Sequence, residues 1–172
     1  MCRFININKE NITKYLFELN QCYQKYYKYL QDDFTEKYED VRQFVEQFGK
    51  YSWIVEEFIS GKFMGFLALD NFIGNDKKLY SAEITTFYKK EAWGIFTKYS
   101  GKLFLKKCFD ELGLEKVKAV IFSDNFRVKT LLKNSGFVYE STLKSETLRN
   151  NKKQDIEIYS IYRNYFYKKE EN

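Results

Sequence analysis

Histidine is absent from this 172-residue chain, and with it goes every mechanism built on imidazole. Serine–histidine and cysteine–histidine nucleophiles are excluded, and so are histidine-containing metal sites. Proton transfer near neutral pH falls to Glu, Asp, Tyr, Cys, Lys, a terminus or water. Proline is absent as well, and no linker, repeat or low-complexity block interrupts the chain. Cysteine is scarce: Cys2, Cys22 and Cys108 are widely spaced and form no CxxC pair. They offer neither a disulfide framework nor a zinc site, and they suit a reducing compartment. No stretch of about 20 apolar residues is available to span a bilayer, and no N-terminal apolar run resembles a signal peptide. The expectation is a cytoplasmic protein without a membrane partner.

Aromatic side chains are abundant, with 15 Tyr, 17 Phe and 2 Trp. The length fits one domain, 1–172, able to bury a sizeable core. A net charge of +5 favours anionic ligands such as a nucleotide cofactor, although the plainer reading is solubility. The tail Tyr165-Phe166-Tyr167-Lys168-Lys169 mixes bases and rings in a way that suits RNA stacking. A strand end with solvated charges is the preferred reading, and nucleic acid is not expected as a partner.

Periodicity organises the chain. After Phe4-Ile5-Asn6-Ile7, Asn8 or Asn11 caps a helix whose apolar positions Ile12, Tyr15, Leu16, Leu19, Tyr23, Tyr26, Tyr27 and Leu30 follow helical spacing. A second helix is expected from Tyr38 to Phe48, stopped by Gly49. The period then changes to two. Strands Ser52–Ile59 and Phe63–Leu69 flank Ser60-Gly61-Lys62, a loop covers Asn71–Lys78, and a third strand runs Leu79–Tyr88. A helix from about Thr97 to Leu112 follows, with Cys108 on its apolar face, where packing and not acyl transfer is its expected role. Val117–Phe122 reads as a strand covered on both faces. Asp124 caps a brief helix ended by Gly136, and a hairpin, Phe137–Leu148 with Ile156–Phe166, closes around Asn150-Asn151-Lys152.

Within this order, Ala82-Glu83-Ile84 followed by Trp93-Gly94, then Phe109-Asp110-Glu111-Leu112-Gly113-Leu114, Asn125 with Leu131, Leu132 and Gly136-Phe137, and Asp155 with Tyr159 together resemble the GNAT acetyltransferase superfamily. The match covers about Trp53 to Tyr162, and the nearest subgroup acetylates protein N-termini, ribosomal-protein alanines included. The resemblance implies an α/β (α+β) fold: a mixed central sheet of about six to seven strands, splayed in the middle, with helices on both faces. It implies acetyl-CoA as co-substrate, bound between the strands that carry Glu83 and Val120, and no metal. The acceptor would be a primary amine on a protein N-terminus, an amino sugar or another small molecule, with a protein substrate or partner as a further expectation.

The site residues follow from the same resemblance. Thr85, Thr86, Phe87, Trp93, Gly94, Ile95, Phe96, Thr97, Lys98 and Asn125 would bind the cofactor, with a backbone N–H near Thr86 or Phe87 facing the oxyanion. Glu83 would be the base, acting through a water, and Tyr159 the acid, with Tyr162 as a substitute and Ser123 and Ser141 as weaker candidates. Two departures stand out. The family's tyrosine acid position is Leu132 here, and Ile95, Phe96 or Thr97 stands where the family's loop has glycines. Bulky residues disfavour positive φ and crowd a phosphate. A catalytically inactive GNAT-fold binding or structural module is therefore the alternative reading.

Overall fold

A computed structural model of the chain describes residues 1–35 and 37–168. Seven strands form one sheet: β1 (Cys2–Asn6), β2 (Ser52–Glu57), β3 (Phe63–Gly74), β4 (Leu79–Tyr88), β5 (Lys116–Phe122), β6 (Val138–Arg149) and β7 (Lys152–Tyr162). Their order is β1-β2-β3-β4-β5-β7-β6. All neighbours are antiparallel except β4 and β5, which are joined by the crossover helix α3 (Ile95–Asp110). The remaining helices are α1 (Leu16–Leu30), α2 (Val41–Glu46), α4 (Phe126–Asn134) and α5 (Arg163–Lys168).

The period of two in the strands generates two cores. Trp53, Val55, Leu67, Leu69 and Ala82 face the layer of α3, where Phe104, Phe109 and Cys108 are wholly buried. Ile54, Phe66, Ala68 and Phe87 face the opposite layer, against Leu19 and Tyr23 of α1 and Phe44 of α2. Strand β2 and the first part of β3 are buried on both faces, so alternate residues go to one core or the other and not to core or solvent. Burying each large side chain contributes about 1.5–3 kcal/mol, so both layers are needed to hold the sheet. Tyr23 also has its hydroxyl satisfied, donating to Gln31 Oε1 at 2.9 Å. Burial raises the Cys108 thiol well above its usual range, in keeping with an inert packing role.

Several boundaries differ from expectation. The first helix is interrupted: Ile12–Tyr15 form a single 3-10 turn before α1. The second helix is shorter than Tyr38–Phe48 because Asp40 caps it, accepting from the Arg42 N–H at 2.8 Å. Strand β3 does not end at Leu69; a bulge between Asp70 and Ile73 carries it to Gly74. The brief fourth helix is capped by Asn125, not Asp124, whose carboxylate pairs with Arg149. The aromatic–basic tail is helical from Arg163 to Lys168, and Lys169 lies outside the described residues. No helix among the described residues is long and apolar enough to cross a membrane.

One buried charge ties the N-terminal strand to the sheet. Glu56 is fully buried and accepts from Arg3 Nε at 2.6 Å, Tyr15 OH at 2.8 Å and Lys14 Nζ at 3.0 Å. Burial alone would raise its pKa; the bonds from Lys14, Tyr15 and Arg3 outweigh it and hold the carboxyl below its usual range.

Candidate active site

The sheet opens in its middle. Strands β4 and β5 pair only at Ser81 with Lys116, Ala82 with Val117 and Glu83 with Lys118. Beyond Glu83, β4 stays paired with β3 as far as Tyr88, and β5 stays paired with β7 as far as Phe122. Their facing edges therefore diverge, leaving main-chain N–H and C=O groups of Ile84–Tyr88 without a strand partner on that side. Unpaired strand edges are what an extended amide-bearing ligand can complete. Side chains here are largely committed elsewhere. Thr86 Oγ1 donates to Phe66 O at 3.0 Å, and Phe87 lies in the core, stacked on Phe66 at 5.0 Å. Thr85 is half-buried beside them. What this stretch of β4 offers a ligand is backbone.

At the end of β4 the chain turns into α3. Gly94 occupies the N-cap position with φ 94° and ψ −120°, a region open only to glycine. A Cβ built there would meet nothing within 4 Å, so the space in front of the helix is open. Lys98 is the first residue whose N–H is held by the turn, donating to Gly94 O at 3.1 Å. The N–H groups of Ile95, Phe96 and Thr97 have no partner among the described residues, and no side chain caps the helix. Together with the partial positive charge at a helix start, about one half, they form an anion site.

The bulky residues do not fill that space. Ile95 is 87% exposed and turned to solvent, and Phe96 packs against the α3 core. Thr97 folds back, its hydroxyl donating to Ala92 O at 2.7 Å. Lys98 is exposed at the rim, and a cavity of about 290 Å³ beside the turn is lined by Lys25, Lys89, Lys90, Gln21, Cys22, Tyr26 and Glu91, the last paired with Lys62 at 2.9 Å. These residues fit a diphosphate.

Three elements meet over the turn. Trp93 donates its indole N–H to Tyr88 O at 3.3 Å, Arg127 of α4 stacks on its ring at 4.8 Å, and the ring of Tyr26 lies 6.3 Å away. The Tyr26 hydroxyl is buried and has no hydrogen-bond partner among the described residues. In the sequence Tyr26 reads as a packing position of the first helix, with contact to an acceptor as the lesser reading, and nothing there sets Arg127 apart from an ordinary helix position. Asn125 accepts from the Val128 N–H at 3.4 Å as the α4 cap, which commits its oxygen.

The catalytic candidates lie on different faces. Glu83 points to the α1–α2 side, level with the last β4–β5 pair. Its Oε1 accepts from Lys118 Nζ at 2.8 Å and its Oε2 from Asn71 Nδ2 at 3.0 Å. Asp70 stands opposite it on β3, and burial pushes that carboxyl up to about 6, with the Glu83 charge adding to the rise and Lys118 opposing it. Tyr159 lies on the other face, 2% exposed, its hydroxyl donating to Glu157 Oε2 at 2.9 Å. Burial first, then the bond to Glu157, pushes its pKa up to about 12. Leu132, at the family's acid position, is buried in the α3 core. Among the described residues no group of three or more His, Cys, Asp or Glu side chains is placed to hold a metal ion.

The profile of the Acetyltransferase (GNAT) domain matches residues 4–138. The chain belongs to the GNAT acetyltransferase family. It is accordingly an acyltransferase, with acetyl-CoA as its co-substrate. Solved GNAT structures share the fold over nearly the whole chain. A spermidine N-acetyltransferase from Vibrio cholerae, in complex with CoA and spermine, aligns with a TM-score of 0.77 at 21% identity, covering 96% of this chain and 98% of that one. A GNAT-family acetyltransferase from Bacillus anthracis aligns with a TM-score of 0.74 at 16% identity, covering 94% of each chain. No curated protein matches the sequence. The ribosomal-protein subgroup suggested by the sequence is not among these neighbours, and the seven-strand mixed sheet with helices on both faces is the GNAT architecture.

Proposed function

We propose that this GNAT chain transfers the acetyl group of acetyl-CoA to a primary amine by direct attack, with both substrates bound together. The observation that carries this reading is the open split between β4 and β5, with the uncapped, glycine-started α3 at its end. The diphosphate would rest on the N–H groups of Ile95, Phe96 and Thr97, with Gly94 giving room and Lys98 and Trp93 at the rim. The pantetheine amides would pair with the free edge of β4 at Thr85, Thr86 and Phe87, and Asn125 would reach the same arm. A backbone N–H near Thr86 or Phe87 would face the oxyanion.

The amine would approach from the α1–α2 side, where the carboxylates of Glu83, the base that the family resemblance implies, and Asp70 stand at the apex. An ammonium meets negative charge there before it meets the thioester. That charge, and the spermine bound to the Vibrio cholerae neighbour, favour a small polycationic amine over a protein N-terminus. Carbon–nitrogen bond formation then expels the thiolate, which is reprotonated. Tyr159, the acid that the family resemblance implies for that last step, pairs with Ala119, the first β5 residue past the apex, but its hydroxyl is already engaged by Glu157.

The test has two stages. Calorimetry with acetyl-CoA should show stoichiometric binding, and a saturating ligand at 100 times Kd should stabilise the fold by about 2.7 kcal/mol. Mass spectrometry should then detect acetylated spermidine, with an alanine-started peptide as comparison. Absence of binding at millimolar acetyl-CoA would overturn the reading. Transfer to the peptide but not to spermidine would move the acceptor to protein N-termini.

A further inference from the structure

Strand β3 passes its regular register with Asp70, directly opposite Glu83 of β4, and then bulges before Ile73. Cross-strand partners share a face, with Cβ atoms about 4.5–5.5 Å apart. Asp70 therefore lies on the α1–α2 side with Phe66 and Ala68, beside the apex of the split. In the bulge Asn71 takes φ 45°, a left-handed conformation that asparagine tolerates better than most residues. That conformation brings the Asn71 amide onto the same carboxylate its neighbour faces. Bulges commonly re-aim a side chain next to a functional site.

The two carboxylates are not equivalent. Lys118 and Asn71 donate to one oxygen each of Glu83, so both of its oxygens are already engaged. Asp70 is half-buried, and no side chain among the described residues donates a hydrogen bond to its carboxylate. The charged groups acting on it are Glu83 from β4 and Lys118 from β5. A base works best when it exchanges its proton near the operating pH, and the desolvated member of a carboxylate pair is the one so tuned.

We propose that Asp70 is the proton acceptor for the amine, reached through one water, while Glu83, held in place by Lys118 and Asn71, is the carboxylate that receives the ammonium. This assignment rests on the acetyl-transfer reading. The ammonium gives one proton to the Asp70 carboxylate. The freed lone pair forms the C–N bond, the C–S bond breaks, the second amine proton passes to the thiolate, and Asp70 releases its proton to water. Amide, CoA thiol and one proton result.

The pH dependence of kcat/KM for the amine tests this. The wild-type protein should lose activity on the acid side with an apparent pKa near 6, as Asp70 protonates. Asp70→Asn should remove that limb and lower kcat/KM by about 100-fold or more, with acetyl-CoA affinity unchanged by calorimetry. Glu83→Gln should keep the limb but move it to lower pH, because it removes a like charge and leaves Lys118 nearer to unopposed. Its main cost should fall on the amine's KM.

Folding gives a second readout with a defined sign. An acid whose folded pKa is raised stabilises the fold while protonated, and that contribution is lost as pH rises from the usual carboxylate range through about 6. Asp70→Asn should therefore melt no lower than wild type at pH 8, whereas a merely structural aspartate would melt lower when replaced. An Asp70→Asn protein that keeps its acid limb and full kcat/KM overturns the proposal while leaving acetyl transfer intact. So does a Glu83→Gln protein that alone loses the limb. A wild-type protein that acetylates no amine overturns the underlying reading and this one with it.

Discussion

A tyrosine hydroxyl can pass its proton to a departing thiolate only if the hydroxyl is turned toward it and its pKa is not too high. Tyr159 donates to Glu157, whose other oxygen is bonded by Lys129 Nζ at 2.6 Å, and its ring is buried against Tyr139 and the α3 core. The geometry favours wall over acid. Tyr159→Phe is expected to cost about 1 kcal/mol in stability, the worth of one ordinary hydrogen bond. In steady-state assays kcat should stay within a few-fold of wild type. A fall of 100-fold with an unchanged melting point would instead establish the proton-donor role that the sequence suggests. Glu83 and Asp70 differ in the same way: each residue's role is set by which of its oxygens are already engaged.

At the scale of the element, the start of α3 decides whether a diphosphate has anywhere to rest. The turn depends on Gly94, since φ 94° with ψ −120° strains any other residue by about 1–3 kcal/mol even though a methyl group there meets no atom within 4 Å. Gly94→Ala should therefore relax the turn, lower the melting point and weaken acetyl-CoA binding at least tenfold in calorimetry. Unchanged affinity would mean that the amides of Ile95, Phe96 and Thr97 do not hold the phosphates. This element also marks where reading the sequence stops. Gly94 and the apolar face of α3 were legible, but whether Ile95 blocks the anion or points away depends on the rotation of one helical turn. Strand β3 shows the same limit. Asp70-Asn71 after a run of apolar residues reads as the end of a strand, so the strand was closed at Leu69 and the bulge, with its second carboxylate, fell inside an expected loop. Strands β2 and β3 were legible as strands from their period of two, but a bulge leaves no periodic trace at all. The two-sided cover expected of β5 is not met: Val117, Ala119 and Phe122 are buried while Val120 is 42% exposed, because the sheet opens beside it.

For the whole molecule, the split is also a weakness. Three residue pairs between β4 and β5 join the two halves of the sheet, and the halves need other ties. One is the α3 layer, which packs against both. Another is a clasp at the far end, where the β6–β7 turn meets the loop after α1. Asp33 accepts from the N–H groups of Asn150 at 2.8 Å and Asn151 at 2.7 Å, and its own N–H donates to Leu148 O at 2.9 Å. Asn150 and Asn151 hold φ 54° and 57°, the paired left-handed residues of a tight hairpin turn. Thr147 adds a bond to Asp32 at 2.5 Å, and Arg149 reaches Lys28 O at 3.3 Å. This clasp bridges the α1 side, from which the amine is proposed to enter, to the half of the sheet that carries β5. Asp33→Ala removes two acceptors at an exposed position, so the stability loss should be only about 1–2 kcal/mol. Its effect on function should be larger than that figure suggests and confined to one substrate: KM for the amine rises several-fold while acetyl-CoA affinity, set at the opposite end of β4, stays at the wild-type value. Hydrogen exchange should show faster opening of Asn150 and Asn151 with the α3 amides unchanged. Equal losses for both substrates would mean that the halves of the sheet move as one body and that the clasp supports the fold without shaping the acceptor side.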